Sequence, residues 1–293
     1  MPENKLYVVN YADATFEHAR RINSASAVKT GKADTVLEYS PEDIQDFITA
    51  HPDIFKYKRG FGLWAWKPYV IYDTLQKIED GAWMFYCDSG AEFINDIHYL
   101  INQAENDHKN KMVFQLTWAS AHQYTKSETF EWMGYDDRKH FQVLATCSLW
   151  QKTPENLTIV KEWLDACCEE RLISPKRFDE SIPEDPEFIS HREDQSIFDI
   201  VIRKHGIRPY RDPSDYGLRS YFWQPLGKDE RKSDYPVIIL SFRRADAAEY
   251  KKTYFQRYHL WRLCLGHYGI YRRAKKLLIK AGILRREPSG LGI

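Results

Sequence analysis

The sequence predicts an α/β protein, in which a mixed sheet lies between layers of helices. Short apolar runs, typical of buried strands, alternate with segments whose apolar residues recur at helical spacing. The strand candidates are residues 5–10, 82–87, 111–116, 141–150 and 235–241. A basic helical extension follows them, so we expect a domain at residues 1–245 and a C-terminal extension at residues 246–293.

Length and composition restrict the class of protein. The 293 residues suffice for one large domain with an appendage. No apolar run reaches the roughly 18 residues of a spanning helix, and the N-terminal residues lack the apolar segment of a signal peptide. The five cysteines are odd in number and form no C-x-x-C pair, which is typical of reduced thiols. These features predict a cytoplasmic protein.

The aromatic content of the chain is high. Aromatic residues make up 15% of the sequence, with 19 Tyr and 9 Trp. The C–H faces of sugars stack on aromatic rings, so this content favours a carbohydrate-handling protein, although a large core would use the same residues.

The formal net charge of zero conceals an uneven distribution. Residues 251–286 contain 11 Lys and Arg and no acid, whereas residues 1–250 carry 31 basic and 41 acidic side chains. Two interpretations of the basic segment stay open. It is either an amphipathic helix pair that binds an anionic membrane surface or a helix pair docked on the acidic domain. Nucleic acid is not an expected partner, because the acidic domain would repel phosphates.

The chain is organised around two neighbouring segments, residues 60–68 and 82–90. The second is a buried strand that ends on Asp88, and Gly90 frees the backbone to turn. Ligands of open α/β sheets bind beyond the carboxyl ends of the strands, so Asp88 is placed to hold a metal ion or a ribose hydroxyl, or else to cap the next helix.

The first of these segments, together with the residues just before it, offers basic and aromatic groups. Residues 56–62 form a basic, glycine-containing loop that could wrap a diphosphate, with Arg59 as one contact. If the segment is extended, Trp64 and Trp66 share one face. Pro68 is expected to open a helix, which places Lys67 at the helix mouth, where its ammonium could meet a phosphate.

A second motif covers residues 188–197. On a helix, His191, Asp194 and Gln195 fall at i, i+3 and i+4, which places them on one face. A neutral His can ligate a metal, a carboxylate can act as a base or bind a sugar hydroxyl, and Gln can donate and accept hydrogen bonds. The alternative is an ordinary capped helix start with a polar outer face. Lys126 and Arg243 are further candidates for phosphate contact.

Three of these blocks together resemble a known family. The pattern G-x-G-x-W-x-W-K-P, then Y-x-D-x-G, then H-R-x-D-Q-S, with Tyr124 to Lys126 between the last two, is similar to that of bacterial glycosyltransferases of capsule and lipopolysaccharide clusters. The resemblance implies a GT-A-like, Rossmann-like sheet. It also implies sugar transfer from a nucleotide-sugar donor to a polysaccharide or lipid-linked glycan acceptor.

The resemblance assigns roles to residues of this chain. The catalytic candidates are Asp88, Asp194 and His191. Lys126, Gln195 and Arg243 are candidates for acceptor or phosphate contact. The candidates for donor and nucleotide binding are Asn10, Tyr11, Arg59, Trp66, Lys67, Asp88, Ser89 and Gly90.

The family also implies a divalent cation, Mn²⁺ or Mg²⁺. The usual Asp-x-Asp is here Asp88-Ser-Gly90, so one ligand is replaced. Either His191 joins Asp88 as a ligand, or Lys67 and Lys126 replace the cation. The expected location is cytoplasmic, peripheral at the inner face of the membrane. The alternative functions are a non-catalytic carbohydrate-binding or assembly protein that keeps the fold, and a scaffold bound to the membrane surface through the basic segment.

Overall fold

The computed structural model describes residues 4–217 and 233–265, with the backbone alone at residues 117 and 257–265. The strands are β1 Leu6–Tyr11, β2 Thr35–Tyr39, β3 Trp83–Cys87, β4 Glu92–Phe93, β5 Lys111–Ser120, β6 Phe141–Gln151, β7 Tyr210–Arg211 and β8 Ile239–Leu240. The helices are α1 Glu17–Lys29, α2 Gln45–Ala50, α3 Pro52–Phe55, α4 Gly60–Leu63, α5 Trp66–Lys77, α6 His98–Asn106, α7 Ala121–Tyr124, α8 Ser127–Met133, α9 Pro154–Cys167, α10 Glu170–Ile173, α11 Glu193–Lys204 and α12 Ala247–Leu265.

Six strands form one mixed sheet in the order β2-β1-β3-β6-β5-β7. All neighbouring pairs are parallel except those of β6, which runs antiparallel to both β3 and β5. The predicted fold class, an α/β protein with a mixed sheet flanked by helices, is confirmed. Because β1, β3, β5 and β7 run in the same direction, their carboxyl ends lie at one edge of the sheet.

Helices cover both faces of this sheet. In β3, Met84 and Tyr86 belong to the core on one face, while Trp83, Phe85 and Cys87 belong to the core on the other. All five residues are buried, which is why β3 reads as an unbroken apolar run and not as an alternating one. On the Tyr86 face, α5, α9 and α11 pack together under the sheet.

Two elements differ from the sequence-based expectation. The strand predicted at residues 235–241 is reduced to β8, which pairs with β4 in a separate two-stranded sheet. Pro236 has no N–H to donate, and the amide of Ile238 donates to the carbonyl of Pro213 outside any ladder. The helix expected to open at Pro68 begins two residues earlier, at Trp66.

The chain divides into two compact units, residues 1–243 and 244–293. In the second unit the described part is α12, which carries the first basic residues of the segment 251–286. The rest of that predicted basic helix pair lies outside the described residues. Among the described helices, none combines the length and the apolar character that crossing a membrane requires.

Candidate active site

A left-handed turn leads into the site. The five consecutive residues from Gly60 to Trp64 all have positive φ, with values of 58°, 47°, 81°, 58° and 62°. Three of them carry a Cβ, and each L-residue in this conformation costs about 1–2 kcal/mol. Such strain persists only where the surroundings hold it, and it is concentrated at functional sites.

The two glycines of this left-handed turn are required by space as well as by φ. A Cβ on Gly60 would lie 2.3 Å from the ring of Trp64, and one on Gly62 would lie 2.7 Å from the ring of Phe55. The indole N–H of Trp66 donates to the carbonyl of Gly60 at 2.9 Å and closes the turn. The segment is therefore not extended, which was the condition under which Trp64 and Trp66 would share one strand face.

Trp66 packs inside the protein and not along an open wall. Its ring stacks on that of Tyr11 with centroids 3.9 Å apart and an interplanar angle of 22°. Both residues are buried. This stack joins the end of β1 to the start of α5, and so fixes the backbone from which the next residue, Lys67, projects.

Lys67 lies between two carboxylates at the carboxyl edge of the sheet. Its Nζ is 3.4 Å from Oδ1 of Asp88 and 3.2 Å from Oδ2 of Asp194. The side chains of Lys67 and Asp194 are 4% and 6% exposed, whereas that of Asp88 is 37% exposed. We call these three residues the lysine–carboxylate site. Asp88 is the member that a ligand can reach.

The charges of this site perturb one another. Burial raises the pKa of Asp194 to about 6; Lys67 opposes this rise and Asp88 adds to it. Burial lowers the pKa of Lys67, but the attraction of Asp194 and Asp88 outweighs it, so the net shift is upward. At neutral pH the lysine is therefore charged, and the site as a whole carries one negative charge.

Neighbouring side chains position Asp88. The hydroxyl of Tyr86 donates to its Oδ1 at 2.7 Å. The hydroxyl of the following Ser89 donates to the carbonyl of Tyr11 at 2.6 Å, so it ties two strand ends together and is buried. At Gly90, a Cβ would lie 2.8 Å from Cα of Arg243, whose amide donates to the Gly90 carbonyl at 2.7 Å.

Asn10 is buried at the end of β1. Its amide nitrogen donates to Asn23 at 2.9 Å and to Ser24 at 3.0 Å. Asn10 therefore exposes no atom to a nucleotide, contrary to the expectation. Its hydrogen bonds connect the end of β1 to α1.

In the structure, His191, Gln195 and Lys126 bond to partners other than the lysine–carboxylate site. His191 precedes α11, which begins at Glu193, so the predicted shared helix face for His191, Asp194 and Gln195 is wrong. The ring of His191 accepts the amide of Lys126 at 3.3 Å, and burial lowers the pKa of His191 to about 3, which keeps it neutral. Gln195 donates to Gln142 at 2.8 Å in the interior.

Lys126 is fully buried, and its ammonium bonds to other groups of the protein. It forms an ion pair with Glu128 at 2.7 Å and donates to the carbonyls of Arg171 and Lys176 at 2.6 and 2.7 Å. Three acceptors match the three ammonium protons, so none is left for a phosphate.

Two residues of the site were not singled out by sequence reasoning. Tyr86 and Arg192 both lie inside the quoted motifs, Y-x-D-x-G and H-R-x-D, and their position there was the available signal. The guanidinium of Arg192 lies 4.6 Å from the ring centroid of Trp118 and 5.4 Å from that of Tyr124. Arg59, for which a donor contact stays a prediction, forms an ion pair with buried Glu193 at 2.7 Å.

The side chains around Asp88 do not form a set of ligands that fits a divalent cation. The structure shows no cluster of three or more His, Cys, Asp or Glu side chains placed to hold a metal within residues 4–217 and 233–265. The partner expected for Asp88, His191, is held at Lys126, and Oδ1 of Asp88 already meets the ammonium of Lys67 and the hydroxyl of Tyr86.

Comparison with known proteins gives remote structural matches. No protein-family model and no curated protein matches the chain. Mouse xyloside xylosyltransferase 1 is 9% identical, with 81% of this chain and 97% of that chain covered and a TM-score of 0.44. The galactosyltransferase LgtC, solved with donor and acceptor sugar analogues, is 13% identical over 81% and 87%, with a TM-score of 0.44. GlyE of Streptococcus pneumoniae is 16% identical over 82% and 54%, with a TM-score of 0.38. At these values the likeness supports no conclusion about function.

Proposed function

We propose that the protein is a GT-A-like glycosyltransferase that moves a sugar from a nucleotide-sugar to a polysaccharide or lipid-linked glycan acceptor, as in capsule or lipopolysaccharide synthesis. One observation carries the proposal. The three motif residues Lys67, Asp88 and Asp194 come from separate parts of the chain, and they meet at the carboxyl edge of the sheet. Ligands of α/β sheets bind at this edge.

In the proposed reaction, the acceptor hydroxyl oxygen forms a bond to the anomeric carbon of the donor sugar. The bond from that carbon to the diphosphate breaks, and its electron pair leaves with the nucleoside diphosphate. The hydroxyl proton passes to the lysine–carboxylate site, whose net charge changes from minus one to zero. Asp88 is the member of the site that the hydroxyl can reach, so it receives the proton.

The two carboxylates have different roles in this proposal. Asp88 is exposed enough to accept a hydrogen bond from a hydroxyl of the donor. Asp194 is enclosed, with its Oδ2 turned towards Lys67, so it acts through the lysine and holds the ammonium beside Asp88. The indole of Trp163 donates to the carbonyl of Asp194 at 3.0 Å and fixes the start of α11.

The decisive experiment measures donor hydrolysis and transfer over a panel of nucleotide-sugars. Wild type is compared with Asp88→Asn and with Asp80→Asn, a control whose side chain is 95% exposed. We expect a loss of about 100-fold or more in Asp88→Asn and none in the control. Because a ligand stabilises the fold that binds it, the true donor should also raise the melting temperature. Glycan binding without turnover of any donor would favour a non-catalytic carbohydrate-binding protein.

We further propose that the reaction takes place at the cytoplasmic face of the membrane. Residues 251–286, with 11 basic and no acidic side chains, would attract an anionic lipid surface on which a lipid-linked acceptor is carried.

A further inference from the structure

The lysine–carboxylate site needs additional positive charge if a diphosphate is to bind beside it. Lys67 is shared between Asp88 and Asp194, so the site carries one net negative charge and repels phosphate oxygens. A departing nucleoside diphosphate gains charge as the bond breaks, and it must be stabilised by a cation or by fixed donors. A metal does not fit the described ligands, and Lys126 is occupied elsewhere.

Arg192 is one available cation. It lies two residues before Asp194. Its guanidinium lies over the rings of Trp118 and Tyr124, which are themselves arranged edge to face at 5.4 Å. Trp118 lies near the carboxyl end of β5, which runs in the same direction as β3, so it is at the same edge of the sheet as Asp88. It is 41% exposed. Within residues 4–217 and 233–265, the guanidinium of Arg192 forms neither an ion pair nor a hydrogen bond with a carboxylate.

Arg243 approaches the same edge from another segment. Its amide is bonded to Gly90, two residues beyond Asp88, and its φ of 56° turns the chain at this point. Its guanidinium lies 5.4 Å from the ring centroid of Tyr216 and, in the described part of the chain, has no carboxylate partner. Burial is the main cause that lowers the pKa of Arg192, and the like charge of Arg243 lowers it further.

Another arginine shows what simple packing looks like in this protein. Arg138 also lies over an aromatic ring, 5.0 Å from the centroid of Phe130, but its guanidinium is neutralised by Glu131 at 2.5 Å. Arg192 and Arg243 share the aromatic support and lack the counter-ion. A guanidinium that lies over aromatic rings, with its N–H groups free of carboxylates, is pre-organised for a phosphate.

We propose that Arg192 and Arg243, the arginine pair, bind the diphosphate of the donor in place of a divalent cation. This inference rests on the proposed glycosyl transfer for the identity of the ligand. The two guanidinium groups would approach the diphosphate from two separate segments, one from the start of α11 and one from the segment after β8. The Lys67 ammonium would then pair with the carboxylates of Asp88 and Asp194 and would not contact the phosphates.

Binding of inorganic pyrophosphate to EDTA-treated full-length protein tests the arginine pair. Calorimetric titrations compare wild type with Arg192→Gln, Arg243→Gln, Arg192→Lys and the matched control Arg138→Gln. We expect wild type to bind without metal and each glutamine variant of the pair to bind about tenfold or more weakly. Arg192→Lys should be intermediate, because it keeps the charge and loses the planar fork. Arg138→Gln should bind as wild type does.

Two results would overturn the arginine pair. One is pyrophosphate binding that appears only when Mn²⁺ or Mg²⁺ is added, and the other is unchanged binding in Arg192→Gln. If Arg192 merely packs on Trp118, its substitution lowers the melting temperature and leaves the binding intact. Failure of the proposed function looks different, since pyrophosphate would bind through the arginines while no nucleotide-sugar is turned over.

Discussion

Lys67 is a charge that the protein interior tolerates because two carboxylates accompany it. The ammonium is 4% exposed and lies near the rings of Trp66 and Tyr86, at 6.0 and 5.8 Å from their centroids. Aromatic faces attract a cation, but they do not replace water around an isolated charge. The lysine and its carboxylates therefore depend on each other for stability as well as for chemistry.

Removal of this ammonium should be strongly destabilising. We expect Lys67→Met to lower the free energy of unfolding by about 3–5 kcal/mol, because it leaves buried Asp194 without its counter-ion. The matched control is Lys77→Met on the same helix, whose exposed pair with Asp73 should contribute at most about 1 kcal/mol. Urea denaturation of the three proteins measures the difference. Equal stabilities for the two variants would contradict the described charge distribution.

The raised pKa of Asp194 should be visible in the pH dependence of stability. Its pKa is about 6 in the fold and about 4 in the unfolded chain, so between these values the fold holds a proton that the unfolded chain releases. This contribution to stability is complete below about pH 4 and is lost as pH rises through about 6, at no more than about 1.4 kcal/mol per pH unit.

The non-titrating variant Asp194→Asn isolates this contribution. Relative to wild type, we expect the variant to become more stable as pH rises from about 4 to about 6. Asp212, whose pKa burial also raises to about 6, is the comparison, and Asp212→Asn should show a similar slope. Unfolding free energies at several pH values between 4 and 7 provide the measurement. Parallel curves for wild type and Asp194→Asn would mean that the carboxyl titrates normally.

Part of the lysine–carboxylate site could be predicted from the sequence. Lys67 and Asp88 were identified because a strand end and a helix start each fix one position, and both residues are adjacent to such a boundary. His191 and Gln195 were grouped with Asp194 on the assumption of one continuous helix. Glu193, with a φ of 44°, breaks that periodicity, and a single residue of left-handed backbone leaves no pattern in the sequence.

The left-handed turn is the element that connects the aromatic core to the lysine. Its hydrogen bonds include those from the amides of Leu63 and Trp64 to the carbonyls of Arg59 and Gly60, at 2.9 and 3.2 Å. The following amide of Lys67 donates to the carbonyl of Trp64 at 2.9 Å and starts α5. The turn therefore decides where the Lys67 side chain begins.

Two glycine substitutions, one inside this turn and one after α8, separate the steric cost of an added Cβ from its backbone cost. At Gly134, φ is 62° and no atom lies within 4 Å of an added Cβ, so Gly134→Ala should cost about 1–2 kcal/mol. Gly60→Ala meets a similar φ and also the ring of Trp64 at 2.3 Å, so we expect a larger loss. Thermal and urea unfolding compare the two. Equal losses would show that the indole moves aside freely.

The long central strands were predictable, and the short elements were not. The runs at 82–87, 111–116 and 141–150 correspond to β3, β5 and β6, because strands buried on both faces are mostly apolar in sequence. The edge strand β2 has no fully apolar run and was not predicted. The strands β4, β7 and β8 have two residues each. They form by pairing with segments that are distant in the sequence, and a local sequence pattern does not reveal such pairing.

At the scale of the whole molecule, charge and structure divide the chain at a similar place. The compact unit of residues 1–243 contains the lysine–carboxylate site and the arginine pair, and the basic segment at 251–286 lies in the unit of residues 244–293. The division predicted from the sequence, at residue 245, remains a prediction about folding and function.

Deletion of residues 244–293 tests whether the two units are independent. We expect residues 1–243 to unfold cooperatively near the wild-type temperature, because their cores lie within that unit. Pyrophosphate binding should persist. Sedimentation with anionic vesicles, in contrast, should fall to the level found with neutral vesicles. Equal vesicle binding by the full and shortened proteins would exclude a role of the basic segment at membranes.

The handedness of residues 60–64 has a consequence for the evolution of this segment. A D-amino acid would adopt these dihedral angles without penalty, but ribosomes supply only the opposite enantiomer. Among genetically encoded residues, glycine is symmetric and Asn and Asp tolerate the mirror-image region better than others do. Of these, only glycine also fits beside the indole of Trp64 at position 60. Chirality thus limits which neutral substitutions this stretch can accumulate.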